Sequence, residues 1–233
     1  LRIIMEDLVV NQTGNKTSIT GERYFSDGEK RASKLNNRGP IRFDSAGLLS
    51  REIIDAYKEY GWYVFQDVIC RSELTELRDD VEILLQRAPT VPDGNIDAMG
   101  RPVLSSPTNR NIFELAKPLS DPLGGKGRHE VKMEEYQPTN EAPDYVVYKI
   151  NDQLSLADSF LRLYGHPLLL RVTEAINGSD FTPFAESIVV KQPGFGASVA
   201  WHQDGTTLWD SSKIDDHTHG FNFMAQLYGS TAE

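Results

Sequence analysis

His202 and Asp204 lie two residues apart in the stretch Trp201-His202-Gln203-Asp204-Gly205. The residues from Val199 to Asp204 read as a strand, and side chains at i and i+2 leave a strand on the same face. An imidazole and a carboxylate would then enter one volume. They are two of the three donors of the facial triad that holds non-haem iron(II) and leaves three positions open for a cosubstrate and oxygen. The same alternation sends Trp201 and Gln203 to the opposite face, and Gly205 frees the chain to turn away. A bare His-x-Asp pair is a common pattern, and its competing reading is a surface ion pair or a capped turn. The setting carries weight here: the strand Glu186–Lys191, the turn Gln192–Gly196 and a second strand lead into the pair.

The remaining histidines and the single cysteine are weaker candidates. His217 and His219 form their own i, i+2 pair within Asp215-Asp216-His217-Thr218-His219-Gly220. Either could complete a triad locally, but the polar setting favours a solvated or substrate-facing loop. His129 sits in a charged loop, and His166 precedes Pro167 at a helix start. Cys70 reads as a packed thiol with no neighbour arguing for a nucleophile. No Gly-rich phosphate loop, nucleophile elbow or His-Glu-x-x-His motif occurs.

The elements that must position the pair follow from the hydrophobic pattern. Residues 1–47 read as an irregular N-terminal arm, since 11–47 is polar and without period. Ser50, Ile53, Ile54 and Tyr57 give a capped amphipathic helix that Gly61 stops. Trp62–Phe65 is a short strand. Ser72 can cap a second helix with the stripe Leu74, Leu77, Val81, Leu84 and Leu85, ended by Pro89. Residues 89–145 are punctuated by Pro and Gly and read as a long irregular stretch with room for a pair of short strands. Tyr145–Ile150 is a strand, helices span about 153–164 and 167–176, and strands gather at the end, closing with Phe221–Tyr228. Helices first and strands last suggest an α+β domain over 48–233.

Bulk properties bound the partners. The chain has 233 residues, 39% hydrophobic and 25% charged, which suits one soluble domain with a substantial core. A formal net charge of −10 argues against nucleic acid and against anionic membranes. One cysteine excludes an intrachain disulfide. No apolar run approaches a membrane span or a signal peptide, so a soluble, cytoplasmic protein is expected, and the Asn-x-Ser/Thr sequons at Asn11, Asn15 and Asn177 are read as chance.

The segment Lys191–Gly205, KQPGFGASVAWHQDG, resembles the phytanoyl-CoA dioxygenase family of iron(II)- and 2-oxoglutarate-dependent oxygenases. Asp55–Leu85 is similar to that family's opening of helix, glycine, aromatic strand and helix, and the two likenesses occur in the family's order. The likeness covers about 50–88 and 145–233. It implies a double-stranded β-helix (a cupin-like jelly roll) backed by N-terminal helices, with iron at one mouth. It carries His202 and Asp204 over as iron ligands, with 2-oxoglutarate and O2 as cosubstrates and a small metabolite or acyl compound as the substrate to be hydroxylated. Lys149, on a strand ahead of two helices, stands where some members place a lysine for the distal carboxylate of 2-oxoglutarate; the competing reading is a solvated strand-end lysine. Asp204 occupies the position that related halogenases vacate for chloride, which favours oxygenation. Trp209, Phe221 and Phe223 could wall the substrate space or serve as core aromatics. The family's last histidine and the arginine after it would lie beyond Glu233, so the domain is expected to be incomplete at its C-terminal end. The competing function is an inactive jelly-roll remnant with a binding or structural role; a two-ligand site serving another cupin-like reaction is a third.

Overall fold

The protein is described by a computed structural model covering residues 21–108, 111–122, 141–183, 186–197, 199 and 222–228. In chain order the elements are α1 (Gly21–Ala32), β1 (Arg38–Gly39), α2 (Arg51–Tyr60), β2 (Val64–Phe65), α3 (Arg71–Gln86), β3 (Phe113–Ala116), β4 (Val146–Asn151), a 3-10 turn (Gln153–Ser155), α4 (Asp158–Tyr164), α5 (Pro167–Asn177) and β5 (Ser187–Val189). Helices and small sheets are mixed. Among the described residues β1 and β2 pair in parallel, and β3, β4 and β5 form an antiparallel sheet with β4 in the middle.

The long helix α3 anchors the larger core. Leu77, Val81 and Leu84 recur at the helical period on one face and are buried. They meet Phe113 of β3, Ile150 of β4 and Phe160 of α4. Leu77 and Ile150 are wholly enclosed, and burying such a side chain contributes about 1.5–3 kcal/mol. Polar contacts fix α4 against α3: Ser159 Oγ donates to Asp80, and Arg162 pairs with Glu76. A second cluster joins Ile53 of α2 to Val172 of α5 and to Leu49. There Arg171 lies 3.5 Å over the Phe43 ring and donates to the Gly47 carbonyl at 2.7 Å.

Several sequence expectations meet a different local outcome. The arm is not irregular throughout, because 21–32 is helical. This helix is polar on average, and the fold fastens its end: Ala32 is buried and its carbonyl accepts from Arg38 at 2.6 Å. Ser50 stands at the start of α2, but its hydroxyl bonds the Glu52 carboxylate at 3.1 Å instead of capping the backbone. Gly61 does stop α2, at φ 74°, with its N–H on the Tyr57 carbonyl at 2.8 Å. The cap position of α3 is Cys70, not Ser72; Glu73 reaches back to the Cys70 N–H at 3.0 Å.

The expected helix over 153–164 is split in two. Asp152 takes φ 60°, its carboxylate receives Ser106 and Thr108, and Ala157 is extended ahead of α4. β4 precedes α4 and α5 as the strand expected at 145–150 does, and β3 falls within the stretch 89–145 that left room for short strands. The expected strand Phe221–Tyr228 forms no ladder over its described part, 222–228. That segment is tied to α3: Arg78 Nε donates to the Leu227 carbonyl at 2.7 Å, and its guanidinium lies 5.1 Å from the Tyr228 ring centre. The strand expected at 199–204 lies outside the described residues apart from Val199. Among the described residues no helix is long and apolar enough to cross a membrane.

Candidate functional site

The antiparallel sheet has two chemically different faces. Phe113 is opposite Ile150 in register, and both sit in the core against α3 and α4. Alternation puts the next pair, Glu114 and Lys149, on the other face, with Asn151 two residues beyond Lys149. Polar side chains therefore collect on the sheet face turned away from α3 and α4.

A slip in the ladder adds a fourth group. Glu114 pairs with Lys149 but Leu115 pairs with Val147, so Tyr148 is an extra residue on β4. The resulting bulge turns the Tyr148 phenol towards the carboxylate that Lys149 also faces. Adjacent residues of a flat strand would point to opposite faces. Tyr148 Oη donates to Glu114 Oε2 at 2.5 Å, and Asn151 Nδ2 donates to Glu114 Oε1 at 2.7 Å. Lys149 Nζ stands 3.5 Å from the same Oε1. Asn151 also reaches the Asn111 carbonyl at 3.2 Å, which ties the cluster to the loop before β3. The Glu114 and Lys149 side chains are about one-third exposed, at 32% and 37%.

The electrostatics follow from these contacts. Burial pushes the Glu114 carboxyl up, but the bonds from Tyr148 and Asn151 and the Lys149 charge more than offset it, leaving the group below its ordinary value. Burial, and then the bond to the Glu114 carboxylate, push the Tyr148 phenol up to about 12. At neutral pH the site is therefore an ionised carboxylate held by a protonated phenol and an amide, with Lys149 beside it. An open cleft of about 240 Å³ adjoins it, lined by Pro92, Asp93, Asn111, Glu114 and Tyr148 among others.

The turn ahead of the His-x-Asp pair is also on view. Gly194 adopts φ 75°, and the N–H groups of Phe195 and Gly196 both close on the Gln192 carbonyl, at 3.2 and 2.8 Å. The Phe195 carbonyl accepts from Leu119 at 3.0 Å, linking the turn to the segment after β3. Lys191 Nζ donates to the Ala197 carbonyl, and burial lowers its pKa. Glycine suits position 196, where an added Cβ would stand 3.1 Å from the Gln192 backbone.

Of the residues singled out by sequence, Lys149 lies in this cluster. Phe223 is 43% exposed in the segment beside α3. His202, Asp204, Trp209, Phe221, His217 and His219 lie outside the described residues, as does His129. His166 precedes α5 as expected, and Cys70 is exposed at the start of α3 rather than packed. Among the described residues no three His, Cys, Asp or Glu side chains group to hold a metal ion. Sequence reasoning missed Glu114, Tyr148 and Asn151. The one signal for Glu114 was its place between Phe113 and Leu115, a short alternation inside a stretch dominated by Pro and Gly.

No family model matches the chain, and no curated protein or solved structure matches it.

Proposed function

We propose that the protein is a non-haem iron(II)- and 2-oxoglutarate-dependent oxygenase. With dioxygen it hydroxylates an unactivated C–H bond of a small metabolite or acyl substrate, one oxygen atom entering the product and the other the succinate that forms as 2-oxoglutarate loses carbon dioxide. The observation that carries this reading is the segment KQPGFGASVAWHQDG, which delivers His202 and Asp204 at strand spacing. Two features of the fold support it. The turn Gln192–Gly196, which comes just before the motif in the sequence, is closed by its own backbone bonds. Lys149, the lysine proposed for the cosubstrate, stands in register with Val189 of β5, the strand that leads into this turn.

The donor set suits iron(II): a neutral imidazole and a carboxylate are ligands of the type this ion takes. When bound, the iron would supply oxygen activation, with 2-oxoglutarate as the source of two electrons. The chain's own part is to hold the two donors on one face, to meet the distal carboxylate of the cosubstrate with the Lys149 ammonium, and to exclude water from the reacting carbon.

The test is turnover in protein made from the complete reading frame. Release of carbon dioxide from 2-oxoglutarate that requires iron(II) and oxygen, and that is lost in H202A and in D204A, supports the reading. Release that both variants retain contradicts it.

A further inference from the structure

We propose that the cleft beside the β3–β4 sheet face binds a small organic cation, a primary ammonium compound with a short apolar tail. The juxtaposition is the Asp93 carboxylate, carried by the loop after α3, lining the same cleft as Glu114 of β3 and Tyr148 of β4. The proposal is independent of the oxygenase reading.

Charge selects the ligand first. Among the described residues Asp93 and Glu114 line the cleft, and no lysine, arginine or histidine does. Lys149 stands 3.5 Å from Glu114, which leaves two carboxylates to one ammonium and one positive charge to be supplied. Glu114 is held by Tyr148 and Asn151, but Asp93 makes no hydrogen bond or ion pair with a described residue. The loop fixes Asp93 at the cleft. The turn Val91–Gly94 is closed by the Gly94 N–H on the Val91 carbonyl at 3.0 Å, with Asp93 at φ 58°, where glycine is the easier residue. Beyond the turn the buried Asp97 anchors the loop by accepting from the Arg101 side chain at 2.7 Å. Shape completes the choice. Phe113 and Leu115 add apolar lining for methylene groups. A volume of about 240 Å³ is far more than a bare metal ion needs. It falls just below the roughly 300 Å³ at which pockets for drug-sized ligands begin, so the ligand is small.

Two opposite effects follow. Asp93→Asn removes the charge with a residue that also tolerates the left-handed backbone. It should weaken binding by about three- to tenfold, the size of one carboxylate–ammonium contact at an open site. The melting temperature should stay unchanged, because the carboxylate has no partner to lose. Lys149→Met removes the cation that offsets Glu114 and should tighten binding by a similar factor.

The measurement is a chemical-shift titration of isotope-labelled full-length protein with n-pentylammonium chloride at low ionic strength. Pentan-1-ol serves as the uncharged isostere and calcium chloride as the metal ion, with circular dichroism to establish folding. Saturable shifts at Asp93, Glu114 and Tyr148 that pentan-1-ol does not produce, that weaken in D93N and that strengthen in K149M support the inference. No saturable shift, equal binding of pentan-1-ol, or binding unchanged in folded D93N overturns it. Saturation by calcium at lower concentration than by pentylammonium also overturns it and assigns the cleft to a metal ion.

Discussion

Replacing Tyr148 with phenylalanine removes one hydroxyl and keeps the ring, so it isolates the bond to Glu114. In the folded chain the phenol's pKa rises from an ordinary 10.0 to about 12, first through burial and then through the Glu114 carboxylate. The fold therefore favours the neutral phenol. Its contribution to stability is whole below pH 10 and is lost as pH rises from 10 towards 12. At about 1.36 kcal/mol per unit, the full displacement corresponds to roughly 2.7 kcal/mol. Tyr148 is only partly buried, and solvent screening reduces this to about 1 kcal/mol. Two assays read it. Ultraviolet titration of tyrosinate in wild type minus Y148F isolates one of nine tyrosines, and the difference curve should have its midpoint near 12. Thermal melts should show a wild-type advantage of about 1 kcal/mol near neutral pH that shrinks above pH 10. A difference curve centred at 10, or an advantage that persists unchanged to pH 12, would refute the bond and the clustering on this sheet face.

Other perturbations test the frame around the site. Leu77→Ala empties a wholly buried position between α3 and the sheet and should cost about 2–5 kcal/mol in denaturant unfolding; a loss below about 1 kcal/mol would mean that α3 does not pack there. Gly194→Ala puts a Cβ on a residue at φ 75° and should cost about 1–2 kcal/mol, read by thermal melting. Asp97 receives the backbone N–H groups of Met99 and Arg101 at 2.9 Å each and the Arg101 side chain at 2.7 Å. Burial raises its pKa, but these contacts together lower it below the ordinary 3.8, so its stabilisation is present above pH 3.8 and lost as pH falls further. Asp97→Asn should lower the melting temperature at neutral pH and flatten its fall below pH 3.8.

The sequence was most legible where one face is apolar and the period is long. The stripe Leu77, Val81 and Leu84 identified α3, and Gly61 marked the stop of α2, because burial and a left-handed stop leave residue-type signatures. Capping was less legible, since it depends on which neighbours the side chains meet: Ser50 bonds Glu52, while at Cys70 the backbone N–H is met by Glu73 and the thiol by Ser72. β3 was hidden because four residues of alternation are brief against the surrounding Pro and Gly, and its pairing partner lies thirty or more residues away. The bulge at Tyr148 has no sequence signature, yet it brings the phenol and the lysine to one carboxylate. Lys149 could be proposed from position alone, whereas its contact with Glu114 required the register. The His202 and Asp204 pair rests on spacing and on the resemblance of its surroundings.

The most direct measurement of the central claim is anaerobic absorption titration of the full-length protein with iron(II) and then 2-oxoglutarate. An iron/2-oxoglutarate site held by His202 and Asp204 gives a visible metal-to-ligand charge-transfer band that saturates with the cosubstrate and is lost in H202A and in D204A. No band in the full-length wild-type protein, or a band unchanged in both variants, contradicts it.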